Sequence, residues 1–564
     1  MKLPLGLDNF KELILQQYFF VDKSLFIKEV LEETAETCLI TRPRRFGKTI
    51  NMSMLRYFFS NIDAKNNRAL FKNCLIAKEQ LADGKACIDF QGKFPVVFLT
   101  FKAIKEPSYQ AACQAIAALI SKVYQEHRYL LTSKVLHEEE KHRYQQIITE
   151  TADIVHLKTS LRNLIEYLYR YYKVKPIVLI DEYDTPMHAS FSAREHYYED
   201  MLNFMGGFLN NAFKGNEFLH KGILTGILRV SLVNLFSGAN NIPVRNILSD
   251  KYAEYFGFTT DEVNDLLAKT NLQNQAEAIK DWYNGYQIGG ITLYNPWSIV
   301  NCLDEKGKLQ PYWLETGENS LIGHALKNKR ISVKLKLQQL ITGATVEVTI
   351  DQRTIFADLE RNSEVVWGLL AYAGYLNILQ SEVREDTLIS AQAKIPNREV
   401  LGVYLRFVRE WYEEALGLED YQAFLESLVN GNIAEFQERL KSYLDESISY
   451  FDLGKKTPEK VYHVFVLGLM IGLRTNYIIK SNQEAGSGRF DVMLLPKNKS
   501  AQGIIMEFKS IDDNKKLAAT AKAALQQIIK HNYQSELQQH GVNNILNIGV
   551  AFSGQQVYCA TTQI

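Results

Sequence analysis

Apolar runs and helical spacing alternate over the first half of the chain. Cys38, Leu39 and Ile40 form a short apolar run, a polar loop follows, and Ile50, Met54, Leu55 and Phe58 recur at helical spacing, which predicts strand, tight loop and helix. Residues 95–101 read as a buried strand and 111–123 as a helix; Leu161, Leu164, Ile165, Leu168 and Tyr171 mark one apolar helix face. Pro176 opens four consecutive apolar residues, Ile177 to Ile180, as suits a central parallel strand covered on both faces. A helix over 198–213 and a strand over 222–229 complete the alternation, which predicts an α/β fold with a parallel sheet between helices.

Beyond residue 251 the rhythm changes. Helical segments separated by turns at Asn284-Gly285 and Asn295-Pro296 predict a small helical domain over 251–330, and segments 367–379, 400–416, 421–429 and 433–444 predict a mostly helical connector over 331–455. The last stretch, 456–564, reads as helix 458–474, strands 477–480, 489–495 and 503–509, helix 517–530 and strand 545–552. The first domain is then 1–250.

Composition narrows the classes. With 46% hydrophobic and 23% charged residues the chain resembles an ordinary globular protein, and 564 residues suffice for roughly three or four domains. Its 64 basic and 64 acidic side chains cancel, so no global field draws it to nucleic acid or to an anionic membrane; any such contact needs a local patch. The six cysteines lack C-x-x-C spacing and histidine neighbours, which argues against zinc and for free thiols in a reducing compartment. The opening six residues contain no apolar signal core, and the longest apolar stretch, 461–473, is interrupted by His463 and too short to span a bilayer. A cytoplasmic location without membrane contact is expected.

The first chemical signal is the loop between the first strand and helix, Arg42-Pro43-Arg44-Arg45-Phe46-Gly47-Lys48-Thr49. Backbone N–H groups at a helix N-terminus attract phosphates, a lysine at position 48 reaches the β and γ phosphates of ATP, and the Thr49 hydroxyl suits Mg²⁺. Gly47 lets the backbone approach the oxygens. Arg42 stands where the usual pattern G-x-x-x-x-G-K-[ST] has glycine. Guanidinium groups clustered at 42, 44 and 45 repel one another unless an anion lies among them, so Arg42 and Arg45 are expected to contact phosphate.

The second signal is Asp181-Glu182, where the four-residue apolar run ends. Asp181 there can hold Mg²⁺ through water while Glu182 polarises the attacking water, the two tasks of ATP hydrolysis. Thr225, polar inside an apolar strand, sits where a γ-phosphate sensor would. Arg229 would reach phosphate in its own chain or in a neighbouring subunit of a homo-oligomer. For both residues a structural role is an equal alternative. The aromatics of the first 37 residues (Phe10, Tyr18, Phe19, Phe20) are expected in a core, with contact to a nucleotide base as the alternative. The 251–330 segment reads as a lid, and an aromatic platform for bases is its sharper alternative.

The third signal lies in the C-terminal stretch. A two-residue period puts Ile504, Met506 and Phe508 on one strand face and Ile505, Glu507 and Lys509 on the other. Two charges on an otherwise apolar strand need to pair or serve a site. Asp491 is likewise the lone acid of its run. Together Asp491 and Glu507 offer hard oxygen ligands for Mg²⁺ or Mn²⁺, with the Phe508 carbonyl as a third. Lys509 would orient water and stabilise charge developing on phosphorus, and Gln527 and Tyr533 would contact a nucleic-acid backbone. Glu-x-Lys alone is an ion pair on a half-exposed sheet; the order Asp, Glu-x-Lys within this helix and strand frame favours a nuclease-type site.

Residues 1 to about 320 resemble the bacterial AAA-ATPase-like family, whose members carry the 42–49 motif as it stands here, Asp-Glu-Tyr-Asp at 181–184, Phe-Gly-Phe-Thr at 256–259, Asn-Gly-Tyr at 284–286 and Tyr-Asn-Pro at 294–296. The resemblance implies a P-loop ATPase with Lys48, Thr49, Asp181 and Glu182 in the roles above, and makes Arg42 the family's own variant. The tail is similar to the PD-(D/E)XK nuclease superfamily, through Tyr462, His463, Asn482, Gly486, Gly488, Arg489, Asp491, Glu507, Lys509, Gln527, Ile528 and Tyr533. The expected protein is an ATPase coupled to a metal-dependent nuclease acting on nucleic acid, DNA before RNA. A nucleotide-dependent switch or scaffold that binds without cutting is the alternative.

Overall fold

Five short strands pair as a parallel sheet. They are β1 (Thr37–Thr41), followed by helix α1 (Lys48–Phe59), then β2 (Val96–Thr100), β3 (Ile177–Asp181), β4 (Lys221–Gly226) and β5 (Val244–Arg245). The computed structural model describes residues 2–193, 195–228, 242–313, 331–341, 343–351, 364–446, 459–485 and 488–564. The strand order is β2-β3-β4-β1-β5, with every pairing parallel. All residues of β1, β3 and β4 are buried, with apolar residues at their centres and polar ones, Thr41, Asp181 and Thr225, toward the carboxyl edge. Because β4 lies between β1 and β3, the loop after β1 and the acids after β3 meet at the carboxyl edge of the sheet, beside Thr225 of β4. Ligands of open α/β sheets bind at such an edge.

A small helical subdomain follows: α2 (Thr260–Thr270), α3 (Ala276–Tyr283), a hairpin of β6 (Tyr286–Ile288) and β7 (Ile291–Leu293), and α4 (Pro296–Asp304). Thr259 and Glu262 cap α2 reciprocally, and the Asn295 side chain accepts the N–H groups of Trp297 and Ser298 at the start of α4. Proline at the first helical position completes that cap. Val263, Leu266, Ile279, Tyr283, Ile299 and Cys302 form the shared core, against which Phe19 and Val21 pack.

The connector is less helical than its sequence suggests. The helix Val365–Tyr372 stops before Gly374, whose φ of 90° a helix cannot hold, and the chain turns into a three-stranded sheet of order β8-β10-β9, made of β8 (Val346–Ile350), β9 (Asn377–Val383) and β10 (Ile389–Lys394). The chain divides into two compact units, Met1–Leu321 with Glu347–Val400, and Ile322–Val346 with Leu401–Ile564.

In the second unit α5 (Leu418–Val429), α6 (Ile433–Glu446) and α7 (Glu459–Leu469) precede β11 (Tyr477–Ala485), β12 (Gly488–Pro496) and β13 (Gly503–Ser510). Helix α8 (Leu517–Lys530), β14 (Ile545–Ser553) and β15 (Gln556–Gln563) follow. The sheet runs β11-β12-β13-β14-β15, parallel only between β13 and β14. Ile504, Met506 and Phe508 share a core with residues of α5 to α7, and Ile505 packs with Leu525 and Ile528 of α8 on the other face, as the period of two predicts. Among the described residues no helix is long and apolar enough to cross a membrane, and all six cysteines are free.

One buried acid stands apart from these sheets. Glu399 has no solvent exposure; its carboxylate accepts the Ser298 hydroxyl and the Trp313 N–H, each at 2.7 Å. Burial pushes its carboxyl up to about 7 from the ordinary 4.5, against the pull of the Trp313 and Ser298 donors. The folded state thus favours the protonated acid, and this stabilisation is complete below about pH 4.5 and lost as pH rises through about 7. Relative to Glu399→Gln, the wild type should lose ~3 kcal/mol across that window, read from urea unfolding at a series of pH values. Parallel pH curves would show that Glu399 titrates as an exposed acid.

Candidate functional site

The loop after β1 ends on Gly47, whose φ of 81° suits glycine, and α1 begins at Lys48. Lys48 is buried, and its ammonium donates to the carbonyl oxygens of Arg42 at 3.1 Å and Pro43 at 2.9 Å. Burial pulls its pKa down, against the fields of Glu182 and Asp181. The Thr49 hydroxyl donates to Asp181 Oδ2 at 2.8 Å, and the Thr225 hydroxyl donates to Asp181 Oδ1 at 2.6 Å. Asp181 has no exposure; burial pushes its carboxyl up while these hydroxyls oppose the shift. Glu182 follows with φ of 52°, a left-handed conformation that costs a non-glycine residue about 1–3 kcal/mol and occurs where surroundings fix it.

A cavity of about 300 Å³ opens over this edge, lined by Arg44, Arg45, Gly47, Lys48, Thr49 and Glu182 among others. Arg45, with φ of 65°, stacks its guanidinium on the Trp297 ring at 4.3 Å. Trp297 belongs to the 251–330 segment, for which an aromatic platform is the alternative reading, and Asn295-Pro296 is the cap that sets it on the first turn of α4. Sequence reasoning missed Asp184, buried after β3, whose Oδ2 accepts the N–H groups of Ile227 and Leu228 at 2.8 and 2.9 Å and so fixes the exit of β4.

Two expectations change. Arg42 lies off the cavity with no exposure, and its guanidinium donates to the carbonyl oxygens of Thr41, Arg245, Asn246 and Lys251 at 2.7–3.4 Å. Backbone dipoles, not phosphate, satisfy it, and burial pulls its pKa down to about 9. Thr225 spends its one O–H on Asp181, so it positions that acid instead of sensing phosphate. Arg229 lies outside the described residues.

The C-terminal acids converge. Asp491 Oδ2 accepts the Phe508 N–H at 2.7 Å, holding β12 to β13 just past their ladder, which runs from Val492 with Met506 to Leu494 with Ile504. Glu507 is 2% exposed, and its Oε1 accepts from Lys509 Nζ at 3.0 Å and from Gln527 Nε2. Glu507 Oε2 is buried with no hydrogen-bond partner among the described residues. Burial and then Asp491 push the Glu507 carboxyl up to about 7, against Lys509. Burial works against the Lys509 charge, but Glu507, Glu459 and Asp491 hold its pKa above the ordinary value. His463 Nε2 lies 3.1 Å from the Asp491 carbonyl oxygen and 3.0 Å from Ser481 Oγ.

Gln527 therefore contacts the site acid itself, and Tyr533, 1% exposed against Phe490 and His531, lies inside the fold. In place of the expected contact with a nucleic-acid backbone, Gln527 supports Glu507 and Tyr533 packs within the fold. Gly486 lies outside the described residues, as do the side chains of Asn482 and Arg489. Among the described residues no group of three or more His, Cys, Asp or Glu side chains gathers to hold a metal. The donor set is instead two carboxylates, and the unpartnered Glu507 oxygen is the kind of atom a divalent cation satisfies.

Fold and sites define two classes in one chain: a phosphate-loop α/β domain and a mixed-sheet domain with a nuclease-type acid cluster. Residues 4–236 match the family described as predicted AAA-ATPase, and residues 457–562 match the PD-(D/E)XK nuclease superfamily. The chain thus carries an AAA-ATPase-like domain and, at its C-terminus, a domain of that nuclease superfamily. It is 25% identical over 400 residues, 71% of this chain and 68% of the relative, to a protein of Azotobacter chroococcum mcd 1 described as an uncharacterized protein in the vnfD 5' region.

Two substitutions test the supporting contacts. Thr225→Val leaves a buried carboxylate oxygen without its donor and should cost about 1–3 kcal/mol in denaturant unfolding; an unchanged midpoint would show that Asp181 does not need it. Gly549 is the register partner of Glu507 on β14, and a Cβ there would overlap the Ala521 carbonyl oxygen and Leu525 N of α8. Gly549→Ala should cost about 1–3 kcal/mol by lifting α8, and Gln527 with it, from the sheet. Unaltered stability would rule out that close approach.

Proposed function

We propose that this chain is an ATP-hydrolysing protein whose C-terminal domain cleaves phosphodiester bonds in nucleic acid, with DNA as the first substrate to test. The observation that carries the reading is the meeting of Asp491, Glu507 and Lys509, with one buried Glu507 oxygen left for a ligand. In the first unit the backbone at Gly47 and the Lys48 ammonium bind the triphosphate, and Arg45 adds charge at the cavity wall. Thr49 and Asp181 supply hard oxygens suited to Mg²⁺, and Glu182 takes the proton of the attacking water.

In the second unit Asp491 and Glu507 are the residues that would hold Mg²⁺ or Mn²⁺. A divalent cation there supplies Lewis acidity toward the scissile phosphate. Lys509, kept charged by its acidic neighbours, stabilises negative charge as it develops on phosphate oxygens. Gln527 orients the Glu507 carboxylate, and His463 steadies β12 at Asp491.

With Mn²⁺ and single- or double-stranded DNA, the wild type should cut while Asp491→Ala and Lys509→Ala fall by about 100-fold or more. Equal cleavage by all three proteins, or by none, removes the nuclease reading and favours binding without cutting. Lys48→Ala should abolish nucleotide binding in titration calorimetry; retained affinity would overturn the phosphate-loop assignment.

A further inference from the structure

One turn of the connector reaches the phosphate loop. Gly374 ends the helix Val365–Tyr372: its N–H donates to the Ala371 carbonyl at 3.1 Å, and its φ of 90° turns the chain toward β9. Closing a helix asks only for a left-handed residue, which asparagine also supplies. A second demand acts here. A Cβ on Gly374 would lie 2.8 Å from Pro43 Cβ and 3.2 Å from Pro43 Cγ, inside the ordinary separation of packed carbons. Pro43 is buried and does not line the cavity, and neither does any residue of 374–399.

What Pro43 holds gives this contact its weight. Its carbonyl oxygen, with that of Arg42, accepts the Lys48 ammonium. Three residues on, Phe46 has no exposure and packs edge-on against Tyr286 of β6, with ring centroids 5.0 Å apart; that same ring lies 3.6 Å from the Cβ position of Gly374. The connector is pinned around β6 at three further points. Asn377 Oδ1 accepts the Gln287 N–H at 2.9 Å, Asn397 Nδ2 donates to the Asn284 carbonyl at 2.8 Å, and a side chain on Gly285 would overlap the Pro396 carbonyl oxygen. The connector turn therefore backs Pro43 directly and Phe46 through Tyr286.

We infer that Gly374 is a positioning residue for the phosphate loop: its missing side chain lets the connector seat Pro43, and with it the carbonyls that hold Lys48, where triphosphate binding needs them. The inference rests on the phosphate-loop reading and extends it to a stretch that touches no ligand. Close packing makes the contact stiff, because an added methyl is relieved only by moving its neighbour. Coupling of this kind is reciprocal, so a ligand that fixes the loop also steadies the turn at 374.

Titration calorimetry on the full chain with ATP and with inorganic tripolyphosphate reads the effect. Gly374→Ala and Gly374→Asn should each weaken both ligands by about 5- to 100-fold, the cost of overpacking passed to the loop. Asparagine, the better left-handed residue, should be no milder than alanine. Gly84→Ala alters a glycine with φ of 83° and no atom near its Cβ, and should stay within about twofold of the wild type. Variants that unfold at lower urea yet bind within about twofold of the wild type reduce Gly374 to a helix cap and overturn the inference. A milder effect of asparagine than of alanine does the same. The wild type supplies a test that stands even where these variants do not fold: tripolyphosphate should slow hydrogen exchange at the amides of residues 374–380, and unchanged exchange there overturns the coupling. A wild type that binds neither ligand instead defeats the phosphate-loop reading itself.

Discussion

A carboxylate with no solvent exposure must have its oxygens satisfied, and Asp181 meets that demand through two hydroxyls from different parts of the sheet edge. Thr49 brings the first turn of α1 and Thr225 brings the end of β4, so one acid ties the phosphate loop to two neighbouring strands. The backbone continues the tie: Tyr183 N–H donates to the Thr225 carbonyl at 3.0 Å, and Asp184 holds the next two amides after β4. With residues 181, 183 and 184 so fixed, Glu182 has little conformational choice. Its left-handed φ follows from its neighbours.

The C-terminal site obeys the same rule with a different outcome. Glu507 is buried like Asp181, but only one of its oxygens is satisfied within the described residues. Lys509 and Gln527 both act on Oε1, and the field of Asp491 falls on the same carboxyl. An arrangement that keeps an acid half-satisfied gives up stability at that point, as buried polar groups without partners do. The strand pairing and the packing of α8 offset it locally, and the flat approach of that helix depends on the missing side chain at Gly549.

Much of this was readable in advance wherever a short pattern controls a local structure. The period of two through Ile504 to Lys509 assigned both faces of β13, and the four apolar residues before Asp181 located a central strand. What was not readable depends on residues far apart in the chain. Arg42 looked like a phosphate ligand because its neighbours Arg44 and Arg45 are basic; three of its four carbonyl partners lie about two hundred positions away, invisible to local charge counting. Thr225 was placed correctly on its strand, but a strand pattern does not show that its hydroxyl donates to an acid of β3. Gln527 faces inward from α8, which lies tight on β14, and Tyr533 packs on Phe490 and His531 just after that helix; periodicity encodes neither distance. The connector's sheet was missed because residues 367–379 carry helical spacing up to Tyr372 and strand character after it, with Gly374 as the small break.

The unusual arginine at position 42 has a consequence for anyone repairing the loop toward the common glycine pattern. Its side chain stitches the end of β1 to the chain leaving β5, and the Phe256 ring lies 5.3 Å from its guanidinium carbon. Glycine there would strip several carbonyls of their donor and open a hole the size of a long side chain beneath the loop. A change that looks like restoration to consensus would act as a lesion. At this position the cation serves the scaffold, while its neighbours Arg44 and Arg45 line the cavity.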